Sequence, residues 1–245
     1  MHPTIPTMKR ILPCLLLLAA AAARADLVAQ FTFARDDLLE AKVGANAKEV
    51  NGRNSATLSD TVENLTRLED ASVLGDRTGV VAVPSSTGIA VPNPGLEKTW
   101  TMVLHYYAPA SANWRCFFTR SMNNTGDGSL FIRSNTQAGQ GGYTDVGNVV
   151  GAWHQVVVSH STAGSAVWHD ATKLGGSWNW SLSGLDWIYF SLDNDGEDAL
   201  TYYDEIRLYD ESKPSDLFPD GADSPVTIET DRDEPDGTAP AIFFF

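Results

Sequence analysis

The chain has 245 residues, 43% of them apolar and 20% charged, proportions that exclude wholesale disorder and suit a single β-rich domain. Asp and Glu number 31 against 17 Lys and Arg, a formal charge of −14. So acidic a chain is a poor partner for nucleic acid or an anionic membrane surface. It tolerates cations and neutral ligands, although solubility alone would also account for the charge.

Residues 1–25 have the layout of a secretory signal peptide. Lys9 and Arg10 precede an apolar run, Ile11–Ala22, and Ala23-Arg24-Ala25 offers a small-residue cleavage site before Asp26. The run is too short to cross a bilayer, and no later segment is long enough. Cleavage removes Lys9, Arg10 and Arg24 and no acid, leaving 14 basic against 31 acidic residues, a net of −17. Cys14 goes with the signal. Cys116 is then alone, in the apolar setting Trp114-Arg115-Cys116-Phe117-Phe118, which reads as a buried, inert thiol. With no internal disulfide, an exported domain must draw its stability from a core or from bound ions.

Strand signals then follow at short intervals. Leu27–Phe33 alternates, with its larger apolar groups at odd positions. Residues 34–78 are polar and irregular, with a short helical turn expected near Asp36–Ala41. Gly79–Val83, Thr99–Tyr107, Arg115–Thr119, Ser129–Arg133, Trp153–His160, Ser165–His169, Trp187–Leu192 and Thr201–Tyr209 read as strands between Gly-, Asn- and Pro-rich turns. No stretch keeps a 3.6-residue period over three turns, so the reading is an all-β sandwich. In Thr99–Tyr107 the residues Trp100, Met102, Leu104 and Tyr106 share one face. In Thr201–Tyr209 the residues Tyr202, Ile206 and Leu208 share a parity that Asp204 interrupts. Faces opposite the core still carry Trp, Tyr and His, which suits either a concave binding surface or aromatic packing under a loop. From Ser212 to Phe245 five prolines punctuate an acidic stretch that reads as a flexible tail.

Candidate chemistry concentrates in a few places. Asp193, Asp195, Glu197 and Asp198 surround Gly196, and Asp204 follows on the next strand. Such an oxygen-rich set suits Ca2+, and a solvated turn stands as the alternative. The spacing lacks a Glu at the twelfth position, so it is not an EF-hand. Trp178, Asn179 and Trp180 form the first candidate sugar platform, because Trp at i and i+2 projects to one side of an extended chain. Tyr143 and Trp114 are further candidates, and burial of all these rings in the core is the alternative. His154 and His160 share a strand face but stand too far apart to bind one metal unaided. There is no nucleophile elbow and no phosphate-cradling glycine loop.

Three segments, Trp153-His154-Gln155-Val156-Val157-Val158-Ser159-His160, Ser165-Ala166-Val167-Trp168-His169-Asp170 and Tyr203-Asp204-Glu205-Ile206-Arg207-Leu208-Tyr209-Asp210-Glu211, occur in this order. Together they resemble the laminin-G-like jelly rolls of the concanavalin A-like lectin/glucanase superfamily. Ala171 departs from the glycine usual in that family's turn. The resemblance implies a two-sheet antiparallel jelly-roll sandwich over residues 26–211, with Leu27–Phe33 beside Thr201–Tyr209. It also implies a calcium site and the binding of a glycan or glycoprotein. Retaining glucanases of that superfamily carry paired glutamates, and Glu229-Thr230-Asp231-Arg232-Asp233-Glu234 matches their spacing. It does so in an acidic stretch without interleaved apolar residues, where a chance match suffices. The combined expectation is a secreted, non-catalytic, calcium-supported lectin-like module. The alternatives are a glycoside hydrolase of the same fold and an adhesive domain that binds protein.

Overall fold

The computed structural model describes residues 26–52, 56–75, 77, 79–121, 129–193 and 195–228. The expected signal peptide and the Glu229–Glu234 motif lie outside the described residues. Among those residues the chain forms sixteen strands, the first eight being β1 Leu27–Phe31, β2 Lys48–Asn51, β3 Thr57–Ser59, β4 Thr66–Arg67, β5 Val81–Val83, β6 Thr87–Pro92, β7 Trp100–Tyr107 and β8 Trp114–Thr119. There follow β9 Leu130–Arg133, β10 Gln137–Gln140, β11 Gly142–Asp145, β12 Trp153–Ser161, β13 Gly164–His169, β14 Thr172–Lys173, β15 Trp187–Phe190 and β16 Thr201–Tyr209.

The strands form two antiparallel sheets. The first runs β14-β13-β12-β7-β16-β5-β4, with β1 also paired to β16; the second runs β11-β10-β9-β8-β15-β6-β2-β3. The first and last strands are therefore neighbours, in the register Phe31↔Ile206 and Gln30↔Arg207. This is an all-β sandwich, as the alternation implies, and its two-sheet antiparallel jelly-roll arrangement is the one the family resemblance implies. Trp100, Met102, Leu104 and Tyr106 of β7, Val156 and Val158 of β12, and Ile188 and Phe190 of β15 all enter one core. Each such side chain contributes about 1.5–3 kcal/mol by leaving water.

One parity differs from the sequence reading. A bulge falls between Tyr203 and Glu205 where β16 meets β7. The extra residue, Asp204, shifts the alternation, so Tyr203 rather than Tyr202 joins Ile206 and Leu208 in the core. Tyr202 instead stacks on Tyr107 at 5.9 Å on the other face.

Residues 34–78 hold more structure than the sequence suggests. They supply β2, β3 and β4, and their helical turn is Ala71–Leu74 rather than the Asp36–Ala41 stretch. The short strands are too polar to show a period of their own; pairing with β6 and β5 defines them.

The first part of the acidic, proline-rich stretch also packs. Leu217 and Phe218 are buried with Val103, Val157, Trp168 and Tyr209 on the outer face of the first sheet, with Ile228 against the same cluster. Phe218 meets Trp168 edge-on at 5.1 Å. Val226 N–H donates to Leu217 O at 2.8 Å, folding the segment back on itself. Two apolar residues among the prolines anchor 212–228, which is thus a fixed cover and not a flexible tail. Cys116 is a buried thiol, as its setting predicts, outside any disulfide and with its Sγ donating to Phe118 O at 3.5 Å.

Candidate ligand-binding site

The residues proposed from sequence as ligand contacts separate into two groups. Trp178 and Trp180 do project to the same side, stacked at 5.1 Å with 16° between their planes, but that side is the interior. They are only 8% and 2% exposed. Trp178 Nε1 donates to Gln140 O at 2.9 Å and Trp180 Nε1 to Gln140 Oε1 at 3.2 Å, while Ser165 N–H donates to Trp178 O at 2.8 Å. The segment therefore ties β13 of one sheet to β10 of the other. The platform reading of Trp178 and Trp180 is corrected, because rings that close the sandwich have no face left for a ligand. Asn179, between them, is exposed.

Trp114 and Tyr143 lie elsewhere. Trp114 opens β8 and faces Arg133 of β9 across the sheet, and Arg133 in turn faces Gln137 of β10. Gly139, at φ 148°, lets β11 close tightly on β10, since a Cβ there would collide with Gly142 O. That hairpin brings Tyr143 over the same patch. The Arg133 guanidinium lies 4.4 Å from the Tyr143 ring centre and 6.0 Å from that of Trp114. The two rings are 5.8 Å apart, tilted by 58°. Arg133 Nε and Nη2 both donate to Gln137 Oε1, at 3.1 and 2.6 Å, which holds the guanidinium over the aromatics. All four side chains are half-buried, so each keeps an accessible edge or face. The sheet's outer face thus combines aromatic surface with planar, charged and amide hydrogen-bonding groups.

The acidic loop lies at the same end of β8. Ser191 N–H donates to Phe117 O at 3.1 Å, keeping the chain leaving β15 beside β8. Arg115, the neighbour of Trp114, binds the loop's exit through Leu200 O and through Thr201 Oγ1 at 2.7 Å, and it reaches Ala110 O at 3.0 Å. Within the loop Asp193, Asp195 and Glu197 each offer a carboxylate oxygen, and these oxygens lie within 4.8 Å of one another. Ligands on opposite sides of a calcium ion, each about 2.4 Å from it, stand about 4.8 Å apart at most, so three carboxylates gathered this closely could share one such all-oxygen cation. Asp195 N–H donates to Asp193 Oδ2 at 3.2 Å.

Asp198 and Asp204, also expected as ligands, are not part of this group. Asp198 is buried beside it. For Asp204 the cause is the bulge, which turns the side chain onto the first sheet's outer face. There Asp204 Oδ2 is 2.9 Å from Arg77 Nε, and Oδ1 is 3.8 Å from His105 Nδ1. Burial pushes the Asp204 carboxyl up to about 7, against the pull of Arg77 and with a further push from Glu205. His105 Nε2 lies 2.8 Å from Gln155 Oε1, and burial lowers the imidazole pKa. Such a carboxyl–imidazole pair resembles acid–base machinery, yet it is covered. Gln155 Nε2 donates to Val226 O at 3.0 Å, and Ile228 N–H donates to Gln155 Oε1 at 3.0 Å. Asp204 and His105 are each 4% exposed, too little for a substrate to reach.

A separate open cleft of about 410 Å³ is lined by Asp36, Asp37, Leu38, Asp60, Thr61, Val62 and Arg67. It offers no aromatic surface. Among the described residues no helix is long and apolar enough to cross a membrane.

No family model and no curated protein matches the chain. Solved structures do. Domain 4 of AbnA, a GH43 extracellular arabinanase from Geobacillus stearothermophilus, in complex with arabinotriose, is 15% identical with a TM-score of 0.53, covering 77% of this chain and 94% of that one. Trypanosoma rangeli sialidase in complex with the inhibitor DANA is 14% identical with a TM-score of 0.55, covering 76% of this chain and 31% of the sialidase. The receptor binding domain of botulinum neurotoxin type G is 9% identical with a TM-score of 0.52, covering 76% of this chain and 48% of that one. At such identities the likeness establishes the β-sandwich fold. Function must come from the site itself.

Arg133 and Gln137 were missed by the sequence reading. A signal was present: the turn-forming run Ser134-Asn135-Thr136 makes a short hairpin loop, with Ser134 and Asn135 at positive φ, that sets Arg133 opposite Gln137.

Proposed function

We propose that this chain is an exported, non-catalytic module that binds carbohydrate or glycoconjugate on the outer face of its second sheet. Trp114, Arg133, Gln137 and Tyr143 make the contact surface, and the Asp193–Glu197 loop holds a calcium ion that fixes the adjoining chain. The carrying observation is the Arg133 guanidinium, stacked 4.4 Å over Tyr143 and locked by Gln137 on a half-exposed sheet face. Sugar rings present apolar C–H faces rimmed by hydroxyls, and such a patch offers a complement to both. The chain's acidity favours a neutral or cationic ligand over a polyanionic one. The arabinanase domain, crystallised with arabinotriose, and the sialidase, crystallised with the inhibitor DANA, give the same direction as analogies of fold.

Asp204 and His105 are each 4% exposed, so this acid–base pair offers a hydrolase nothing a substrate can reach; the glutamate spacing at Glu229–Glu234, on which the catalytic alternative rests, lies outside the described residues. A glycan array followed by titration of the best ligand tests the proposal. Binding should fall about tenfold or more, a loss of about 1.4 kcal/mol or more, in Tyr143→Ala and in Arg133→Met. Release of reducing sugar from any array ligand would favour the hydrolase. Binding to glycoprotein that survives deglycosylation would favour the adhesive reading.

A further inference from the structure

The β12–β13 hairpin runs in the register Val156↔His169. His154 therefore stands diagonally across from His169 on the same face, within reach of its ring. The two imidazoles are 4.9 Å apart, centre to centre. His154 Nδ1 lies 2.8 Å from Asp170 Oδ2, and His169 Nδ1 lies 3.5 Å from the same oxygen. One ligand atom from each of the three residues lies within 4.8 Å of the other two.

We propose that His154, His169 and Asp170 bind a divalent first-row transition metal, zinc foremost, with the remaining coordination position open to solvent. Four ligand atoms about 2.0–2.1 Å from a tetrahedral zinc stand about 3.3 Å apart. The 3.5 Å separation already matches, and the 2.8 Å one must widen by about half an ångström. Asp170 can supply that movement, because its side chain is 48% exposed. The exposed carboxylate also marks the route by which an ion would enter.

The surroundings hold the ligands in place. Asp170 sits at φ 49°, and its N–H donates to Gln155 O at 2.7 Å. Its second oxygen, Oδ1, accepts Gln155 N–H at 2.9 Å, leaving Oδ2 for the ion. His169 is 1% exposed, and its Nε2 lies 2.7 Å from Tyr106 Oη. A phenol can donate to Nε2 when the proton sits on Nδ1, and it can accept from Nε2–H when Nδ1 carries the metal. The hydrogen bond therefore survives metal binding, as in the outer shells of histidine-ligated metals. Two nitrogens and one oxygen select zinc, nickel or copper over calcium, which takes only oxygen. The site is thus chemically distinct from the acidic loop.

Tag-free protein, stripped with chelator and dialysed, should be titrated with Zn2+ by calorimetry and with Co2+ by visible absorption. One equivalent of Zn2+ should bind and raise the Tm, and Co2+ should give the visible bands of a low-coordinate, nitrogen-ligated ion. Asp170→Asn keeps an oxygen for Gln155 N–H and should weaken binding about tenfold or more, as should His169→Gln. Asp193→Ala combined with Asp195→Ala should leave zinc affinity unchanged. Absence of binding by folded wild-type protein overturns the proposal, and so does undiminished affinity in Asp170→Asn. Loss of zinc binding in the acidic-loop variant would overturn it too, by moving the ion elsewhere. If His169→Gln does not fold, Asp170→Asn still decides, since its side chain is half-exposed.

Discussion

Phe218→Ala tests whether residues 212–228 are a fixed part of the fold. Phe218 is 1% exposed and meets Trp168 at 5.1 Å, beside Leu217, Val103, Val157 and Tyr209. Truncating a buried phenylalanine typically costs about 3–5 kcal/mol. The lower end applies here, because the segment can lift from the sheet and relieve part of the cavity. For a domain of this size about 3 kcal/mol corresponds to a fall in Tm of about 6–12 °C. Thermal denaturation followed by circular dichroism measures it, and limited proteolysis shows whether 212–228 is cut first. A variant that melts within about 1 °C of wild type, with an unchanged cleavage pattern, would refute the docking and leave His105 and Asp204 open to solvent.

Other outcomes follow from the same geometry. Added calcium should raise the Tm, and Asp193→Ala with Asp195→Ala should abolish the gain; a wild type indifferent to calcium would reduce the loop to a solvated turn. Asp204 has a carboxyl raised from 3.8 to about 7, so between these values the folded state holds a proton that the unfolded state has released. Its contribution therefore turns unfavourable as pH rises through that window and is constant above it. Asp204→Asn should accordingly gain about 1–3 kcal/mol relative to wild type between pH 4.5 and pH 8 in urea titrations, and no change in that difference would contradict the assignment. Trp178→Ala with Trp180→Ala should lower stability by several kcal/mol in the absence of any ligand, each ring being worth about 3. A variant of unchanged stability would show that the pair does not close the sandwich.

The strands that carry the sheets were legible because their alternation is strong. β7, β12, β13 and β16 fall where the apolar period puts them, and β1 lies beside β16 as the family resemblance, not the alternation, implies. The bulge at Asp204 was not legible, since one inserted residue leaves no mark in an alternating pattern beyond a single polar break. On an unbroken alternation that polar residue would share the inward side with Ile206 and Leu208, whereas it marks the change of face. Trp178 and Trp180 show a second limit. Spacing fixes that two rings share a side, but not which side, and their partner Gln140 is 38 residues away from Trp178 in sequence. The docking of 212–228 depends on Leu217 and Phe218 meeting a patch assembled from β7, β12, β13 and β16, which composition alone does not reveal. Trp114 and Tyr143 were recoverable as aromatics, whereas their role depends on Arg133 between them. The hairpin at Ser134 and Asn135 would have supplied it. The hairpin between β12 and β13 would likewise have paired His154 with His169 instead of His160.

The central claim is that the second sheet's outer face, and not the buried tryptophan pair, meets the ligand. Calorimetric titration of the best array glycan into wild type, Tyr143→Ala and Arg133→Met, each first shown to melt like wild type, addresses it directly. The account expects measurable wild-type affinity in calcium and at least about a tenfold loss in both variants. Equal affinity in all three proteins would contradict it.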